Sequence, residues 1–245
     1  MSLTVYIWVL SQQEPRDAQS TGSHNTVLLA SSVNRNYMLP ATETIQGDAA
    51  RDYINDSGAM ILQINNCTSC KLHRGSFSHD LATVFPYSDP YRDRVCTHHY
   101  QNLAIIEDRP QPGSIQFKTA AVAAPPRPVI CCLFAQYRMG GNGRNYYYQK
   151  ATYVDAEYLS VEDCPRSRLN YFQQSMVALA DLLISDTEWK NINKIIIPFY
   201  LGCGLGGGNW FDYRKIIDDF ALAVATPKRK VILVKKKKCE GSISE

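Results

Sequence analysis

The segment Gly202-Cys203-Gly204-Leu205-Gly206-Gly207-Gly208 places five glycines in seven residues between two patterned stretches. Before it runs the apolar Ile195-Ile196-Ile197-Pro198-Phe199, and after it Tyr213 to Phe220 repeats apolar residues at helical spacing. Glycines remove the side chains that keep an anion away from the backbone, and the start of a helix offers unpaired N–H donors. A strand, a glycine loop and a helix in that order predict a phosphate cradle. The loop lacks the Gly-Lys-Ser/Thr ending of a P-loop and the spacing of a dinucleotide-binding fingerprint; the competing reading is a plain flexible turn.

Other residue types capable of chemistry are scattered upstream. Gly47-Asp48 and Asn65-Asn66 put polar groups at the ends of the strands read at 43–48 and 59–66, where open α/β sheets bind ligands. Asp48 also suits a cap for the turn Ala49-Ala50-Arg51, and Asn66 suits a self-bonded turn. His73 and His79 titrate near neutral pH, so either could move a proton; satisfied structural histidines are the plainer reading. Cys67, Cys70, Cys96, His98 and His99 contain four-ligand combinations for zinc but without regular metal-ligand spacing, so reduced thiols near a loop are preferred and no metal is expected. Cys203 sits where a helix dipole could activate a thiol, yet no paired base accompanies it.

These groups need strands and helices to position them. The patterns predict strands at 3–10, 26–33, 114–118, 129–134, 195–199 and 230–234, and helices at 79–84, 167–184 and 213–223. Phe85-Pro86 stops the first helix. Strands alternate with helices, which sets the class as α/β. Gly140 to Asn145 reads as an exposed loop leading to Tyr146-Tyr147-Tyr148.

At 245 residues the chain can bury a substantial core without staples. Its net charge of +3 is too small to define a nucleic-acid protein, although Lys235-Lys236-Lys237-Lys238 forms a local run that would suit a solvated tail, an import signal or an RNA contact. Eight cysteines with no secretory signal predict reduced thiols in a cytosolic or nuclear setting. No apolar run approaches a membrane span, so no membrane partner is expected.

With Ile45-Gln46-Gly47-Asp48, Ile61-Leu62-Gln63-Ile64-Asn65-Asn66 and Gly202 to Gly208 located in this order, the chain resembles the macro domain family of ADP-ribose-binding modules. It looks most similar to a divergent viral and phage branch related to the ADP-ribose-1″-phosphate phosphatases, through His73-Arg74-Gly75-Ser76, Phe85-Pro86-Tyr87, Tyr91-Arg92-Asp93-Arg94, Phe134-Ala135-Gln136-Tyr137 and Gly202-Cys203-Gly204-Leu205. The resemblance implies a three-layer α/β/α domain with a mixed central sheet over residues 42–234, an extension at 1–41 and a basic tail at 235–245. It implies a cytoplasmic or nuclear protein, in the host cell if the source is viral, and no cofactor.

The resemblance also assigns roles. Asp48, with Ala49, would hold adenine; Gly75 and Ser76 would meet the phosphates from one side, and Gly202, Cys203, Gly204, Leu205, Gly206, Gly207 and Gly208 from the other; Trp210 would lie against the distal ribose. Asn66 would orient that ribose, with His73 or a phosphate-bound water performing hydrolysis of a 1″-phosphate ester or an ADP-ribosyl link to protein. Active members often carry three consecutive glycines in the first loop, where this chain has only Gly75, and the acidic residue used by one hydrolase branch is replaced by Gly206. Competing classes are a non-catalytic reader of ADP-ribosylated partners and an RNA-binding or virion-associated protein that uses the lysine run.

Overall fold

The computed structural model describes residues 42–97, 102–121, 125–140, 156 and 160–237. The strands read at 3–10 and 26–33, His98, His99 and the tyrosine run 146–148 lie outside the described residues. The chain order is β1 (Thr42–Gly47), β2 (Ala59–Asn66), α1 (Phe77–Val84), β3 (Ile115–Lys118), β4 (Val129–Gln136), α2 (Pro165–Ser185), β5 (Lys194–Pro198), α3 (Trp210–Val224) and β6 (Lys230–Lys236). The six strands form one sheet in the order β1-β6-β5-β2-β4-β3. Only β3 is antiparallel to its neighbour, so the sheet is mixed.

Alternation along the strands loads both faces. Met60, Leu62, Ile195, Ile197, Val231 and Leu233 pack with Phe172, Met176 and Leu179 of α2 and Ile217 and Phe220 of α3. Their sequence neighbours Ile61, Ile130, Ile196 and Ile232 face the other way, against Leu81 of α1, Phe85 and Tyr53. Strands buried on both faces read as continuous apolar runs such as Ile195-Ile196-Ile197. The result is a three-layer α/β/α domain.

Helix ends are set by local chemistry. Ser76 caps α1, its Oγ accepting from the His79 N–H, so Ser76 is committed to the helix start and His79 lies in its first turn. Pro165 occupies the first turn of α2, where its missing N–H costs nothing. Asn209 caps α3 through the Phe211 N–H, so this helix begins at Trp210, three residues before its apolar repeat becomes visible. Strand β6 runs to Lys236 and pairs Lys235 with Gln46 and Lys236 with Gly47. The boundary drawn at 234 therefore moves outward: pairing with β1 continues past the last apolar residue, and two lysines read as tail belong to the sheet.

The thiol reading is corrected for two cysteines. Cys70 and Cys96 are joined in a disulfide, with Cα atoms 5.5 Å apart, because the loop after β2 and residues 94–97 are folded against each other. This removes two of the five groups weighed for zinc; Cys67 is buried and lies outside the disulfide. With a sequence separation of 26 between the bonded cysteines, the cross-link is expected to contribute about 3–4 kcal/mol through the unfolded state. Cys70→Ser with Cys96→Ser should lower the urea-unfolding free energy by about that amount, and reducing agent should destabilise the native protein but not the double variant.

Candidate functional site

Five parallel strands, β1, β6, β5, β2 and β4, bring their carboxyl ends to one edge of the sheet. Asp48, Lys235-Lys236, Phe199 and Asn66 therefore follow one another along that edge. At a strand spacing of about 4.8 Å, Asp48 and Asn66 stand three spacings, about 14 Å, apart. The chain leaves β2 towards β4 and leaves β5 towards β6, so the β2/β5 boundary is a topological switch point, where open α/β sheets form their ligand crevice.

The glycine loop covers this boundary, and its glycines have different tasks. Gly202 has φ +80° and lies against Tyr213 and Ile64. A Cβ on Gly206 would come within 2.7 Å of the Gly202 carbonyl oxygen, and one on Gly208 within 2.6 Å of the Tyr213 ring. These three are small so that the loop can close on itself. Gly204 differs: a Cβ there meets nothing within 4 Å.

Carbonyls in the loop are turned inward. Gly202 O accepts from the Gly208 N–H and Gly204 O from the Gly207 N–H, each at 3.0 Å. The N–H groups of Gly204, Leu205 and Gly206 make no hydrogen bond among the described residues. Because a trans peptide carries its C=O and N–H on opposite edges, engaging Gly204 O turns the Leu205 N–H outward. Consecutive free amides ahead of a helix N-terminus form an anion-binding concavity.

Arg168 of α2 fixes the loop from beneath. Its Nη1 donates to Gly206 O at 3.0 Å and to Gly140 O at 2.7 Å. Its Nε and Nη2 pair with both carboxylate oxygens of Asp163 at 2.8 and 2.7 Å. Asp163 also accepts the Tyr137 and Arg138 N–H groups that follow β4. Both side chains are nearly inaccessible, at 3% and 1% exposure. Sequence reading missed this pair: it spans the start of α2 at a separation of five, which matches no helix or strand period, and its burial depends on the loops above it.

At the other end of the edge, Asp48 Oδ1 accepts from the Ala50 and Arg51 N–H groups at 2.9 and 3.0 Å. It caps the turn that contains buried Ala49, while Oδ2 accepts no bond among the described residues. Asn66 is engaged by its own surroundings. Its amide Nδ2 donates to the Tyr91 hydroxyl at 3.2 Å and its Oδ1 accepts from the Ser69 N–H at 2.7 Å. Burial pushes the Tyr91 hydroxyl up to about 12, so it stays neutral.

The loop after Asn66 is itself covered. Cys67, Thr68 and Ser69 are inaccessible, Arg94 donates to the carbonyls of Cys67 and Ser69, and Asn102 accepts from the Cys70 and Lys71 N–H groups. His73 and Gly75 sit in an exposed turn closed by Ser76. No hydrogen bond joins His73 to Asn66, and one is exposed while the other is buried. His79 lines a separate groove with Leu72, Pro86, Asp89 and Arg92, to which no glycine-loop residue contributes.

The remaining sequence candidates surround the loop. Burial pushes the Cys203 thiol up to about 11, which removes it as a nucleophile near neutral pH. Trp210 packs on Phe199 and Tyr200, whereas Phe211 is 84% exposed.

Similarity to known proteins is confined to solved structures. No protein-family model matches the chain, and no curated protein matches it. Among solved structures it is similar to the alphavirus P23pro-zbd (14% identity, 81% of this chain and 22% of that one, TM-score 0.44). It is also similar to the macrodomain of Mycobacterium tuberculosis DarG (12% identity, 79% and 96% covered, TM-score 0.46). A Trypanosoma brucei macrodomain in complex with ADP-ribose is a third (10% identity, 81% and 64% covered, TM-score 0.43). The last two are macrodomains. The chain spans about a fifth of the alphavirus chain and just under two thirds of the trypanosomal one. At these identities and scores the likeness carries no argument about the site, which stands on its own geometry.

Two predictions follow from that geometry. Asp163→Ala should cost about 3–5 kcal/mol in chemical denaturation, because it strands a buried guanidinium and two backbone donors. Gly206→Val should also destabilise the fold, by collision with Gly202 O, whereas Gly204→Val should unfold at the wild-type midpoint and weaken binding of inorganic phosphate or ADP-ribose in calorimetry.

Proposed function

We propose that this chain binds ADP-ribose, free or attached to a protein partner, and acts as a reader of that group. The observation that carries the proposal is the set of free amides at Gly204, Leu205 and Gly206 beside the switch point. In this reading the diphosphate lies on those amides, and the free Oδ2 of Asp48 accepts the adenine amino group. The distal ribose extends towards the β2 loop. Lys235 and Lys236, at the end of β6 between Asp48 and the glycine loop, add positive charge along the path.

Hydrolysis at the distal ribose has less support. The amide of Asn66 is held by Tyr91 and Ser69, the following loop is inaccessible, and the exposed His73 makes no hydrogen bond to it. Binding without turnover is the activity these contacts favour.

Calorimetric titration with ADP-ribose should give saturable binding. Asp48→Ala should lose about 1.5–3 kcal/mol for ADP-ribose and little for ribose-5-phosphate, which also controls for loss of the turn cap. Incubation with ADP-ribose-1″-phosphate and with mono-ADP-ribosylated protein should release no more phosphate or ADP-ribose than a boiled control; release above it would replace the reader with an enzyme.

A further inference from the structure

The Cys70–Cys96 disulfide crosses a seam between the loop that leaves β2 and the residues that cover it, 94–97 and 102–104. The backbone along this seam is well paired. Arg94 donates to the carbonyls of Cys67 and Ser69 at 2.6 and 2.8 Å, Asn102 Oδ1 accepts from the Cys70 and Lys71 N–H groups, and the Ala104 N–H donates to Thr68 O at 2.7 Å. The side chains are paired less well. Thr68 Oγ1, Ser69 Oγ and Thr97 Oγ1 are buried and have no hydrogen-bond partner among the described residues. A hydroxyl buried in this way gives up its water and gains nothing in exchange. Closing the seam therefore carries an uncompensated cost, and the covalent bond holds it shut against that cost.

The two sides of the seam are anchored differently. The inner loop is fixed to the sheet: the Cys67 N–H donates to the Gln136 and Tyr137 carbonyls, and the Thr68 N–H to the Tyr137 carbonyl. Residues 94–97 belong to no helix or strand, and the cover also closes on itself, with the Thr97 N–H on Leu103 O and the Ile105 N–H on Val95 O. Once the disulfide is cut, the cover is the side free to move. Cys70 is buried, whereas Cys96 is half-buried and follows Val95, which is 56% exposed. A reductant reaches the bond from the Cys96 side.

We propose that the Cys70–Cys96 disulfide is a redox latch on the distal-ribose side of the site. Oxidised, it keeps Thr68 and Ser69 covered; reduced, it lets the cover lift and turns their hydroxyls towards the distal ribose of ADP-ribose. This rests on the ADP-ribose reading above. In the reducing step one thiolate of a dithiol reductant attacks the Cys96 sulfur, the S–S bond breaks, and Cys70 leaves as a thiolate that takes up a proton. The second thiol of the reductant then displaces Cys96 as a thiol and closes the reductant's own disulfide, so two electrons pass from the dithiol to the cysteine pair. The ligand favours the open form through contacts it makes only there.

The test titrates ADP-ribose, and ADP as the ligand without a distal ribose, into oxidised protein, protein reduced with dithiothreitol, and the Cys70→Ser/Cys96→Ser variant. Reduction should raise ADP-ribose affinity about tenfold, the worth of one ordinary hydrogen bond, and leave ADP affinity unchanged. The double variant should bind like reduced wild type whether or not dithiothreitol is present. Amide hydrogen exchange at 94–97 should quicken on reduction while β2 keeps its protection. Reoxidised wild type should return to the weaker ADP-ribose affinity, so both states can be compared in the native chain even if the double variant does not fold. An unchanged ratio of ADP-ribose to ADP affinity on reduction overturns the latch, and an equal loss of both ligands makes the disulfide structural and overturns it as well. Protein that binds neither ligand in either state removes the nucleotide reading, and this inference with it.

Discussion

The buried pair between Arg168 and Asp163 holds together the parts from which the site is made. One guanidinium satisfies carbonyls from the glycine loop and from the segment after β4, and one carboxylate satisfies the N–H groups of Tyr137 and Arg138. Burying two charges is expensive, and the arrangement is tolerable because every strong donor and acceptor finds a partner. The consequence is rigidity where a phosphate cradle needs it. Loop carbonyls point to the protein, leaving amides for a ligand, and binding need not pay to order the loop.

The opposite wall of the crevice is built for closure. Asn66, the Cys70–Cys96 disulfide, Arg94 and Asn102 tie down the loop after β2 until Cys67, Thr68 and Ser69 lose all accessibility. A hydrolase needs a reactive group and a water beside the scissile bond, held within hydrogen-bond reach. Here the amide best placed for that task stabilises its own turn. In the proposed reading, the free amides of the glycine loop and the closed β2 side together favour recognition over chemistry.

Three of the five loop glycines have a packing reason that is independent of any ligand. Gly202, Gly206 and Gly208 are required by contacts with Tyr213 and with the loop's own backbone. Gly204 has open space in front of it. A turn that must fold tightly and a cradle that must admit an anion call for the same residue, and the sequence does not distinguish them.

The sequence by itself determined the α/β class, all six described strands and three helices to within a few residues, and the glycine loop's place between β5 and α3. Those features follow from local periodicity and from glycine chemistry, which act over a handful of neighbours. It also marked Asp48 and Asn66 as strand-end polar groups. Tertiary structure decided what they do. Whether Asn66 faces a ligand or Tyr91, and whether Cys70 stays a thiol or meets Cys96, depends on segments 25 and 26 residues away. Whether Arg168 is solvated or buried under two loops depends on packing between elements joined only through the fold. Hydrogen-bond competition of this kind is settled by three-dimensional neighbours, and no spacing along the chain encodes it.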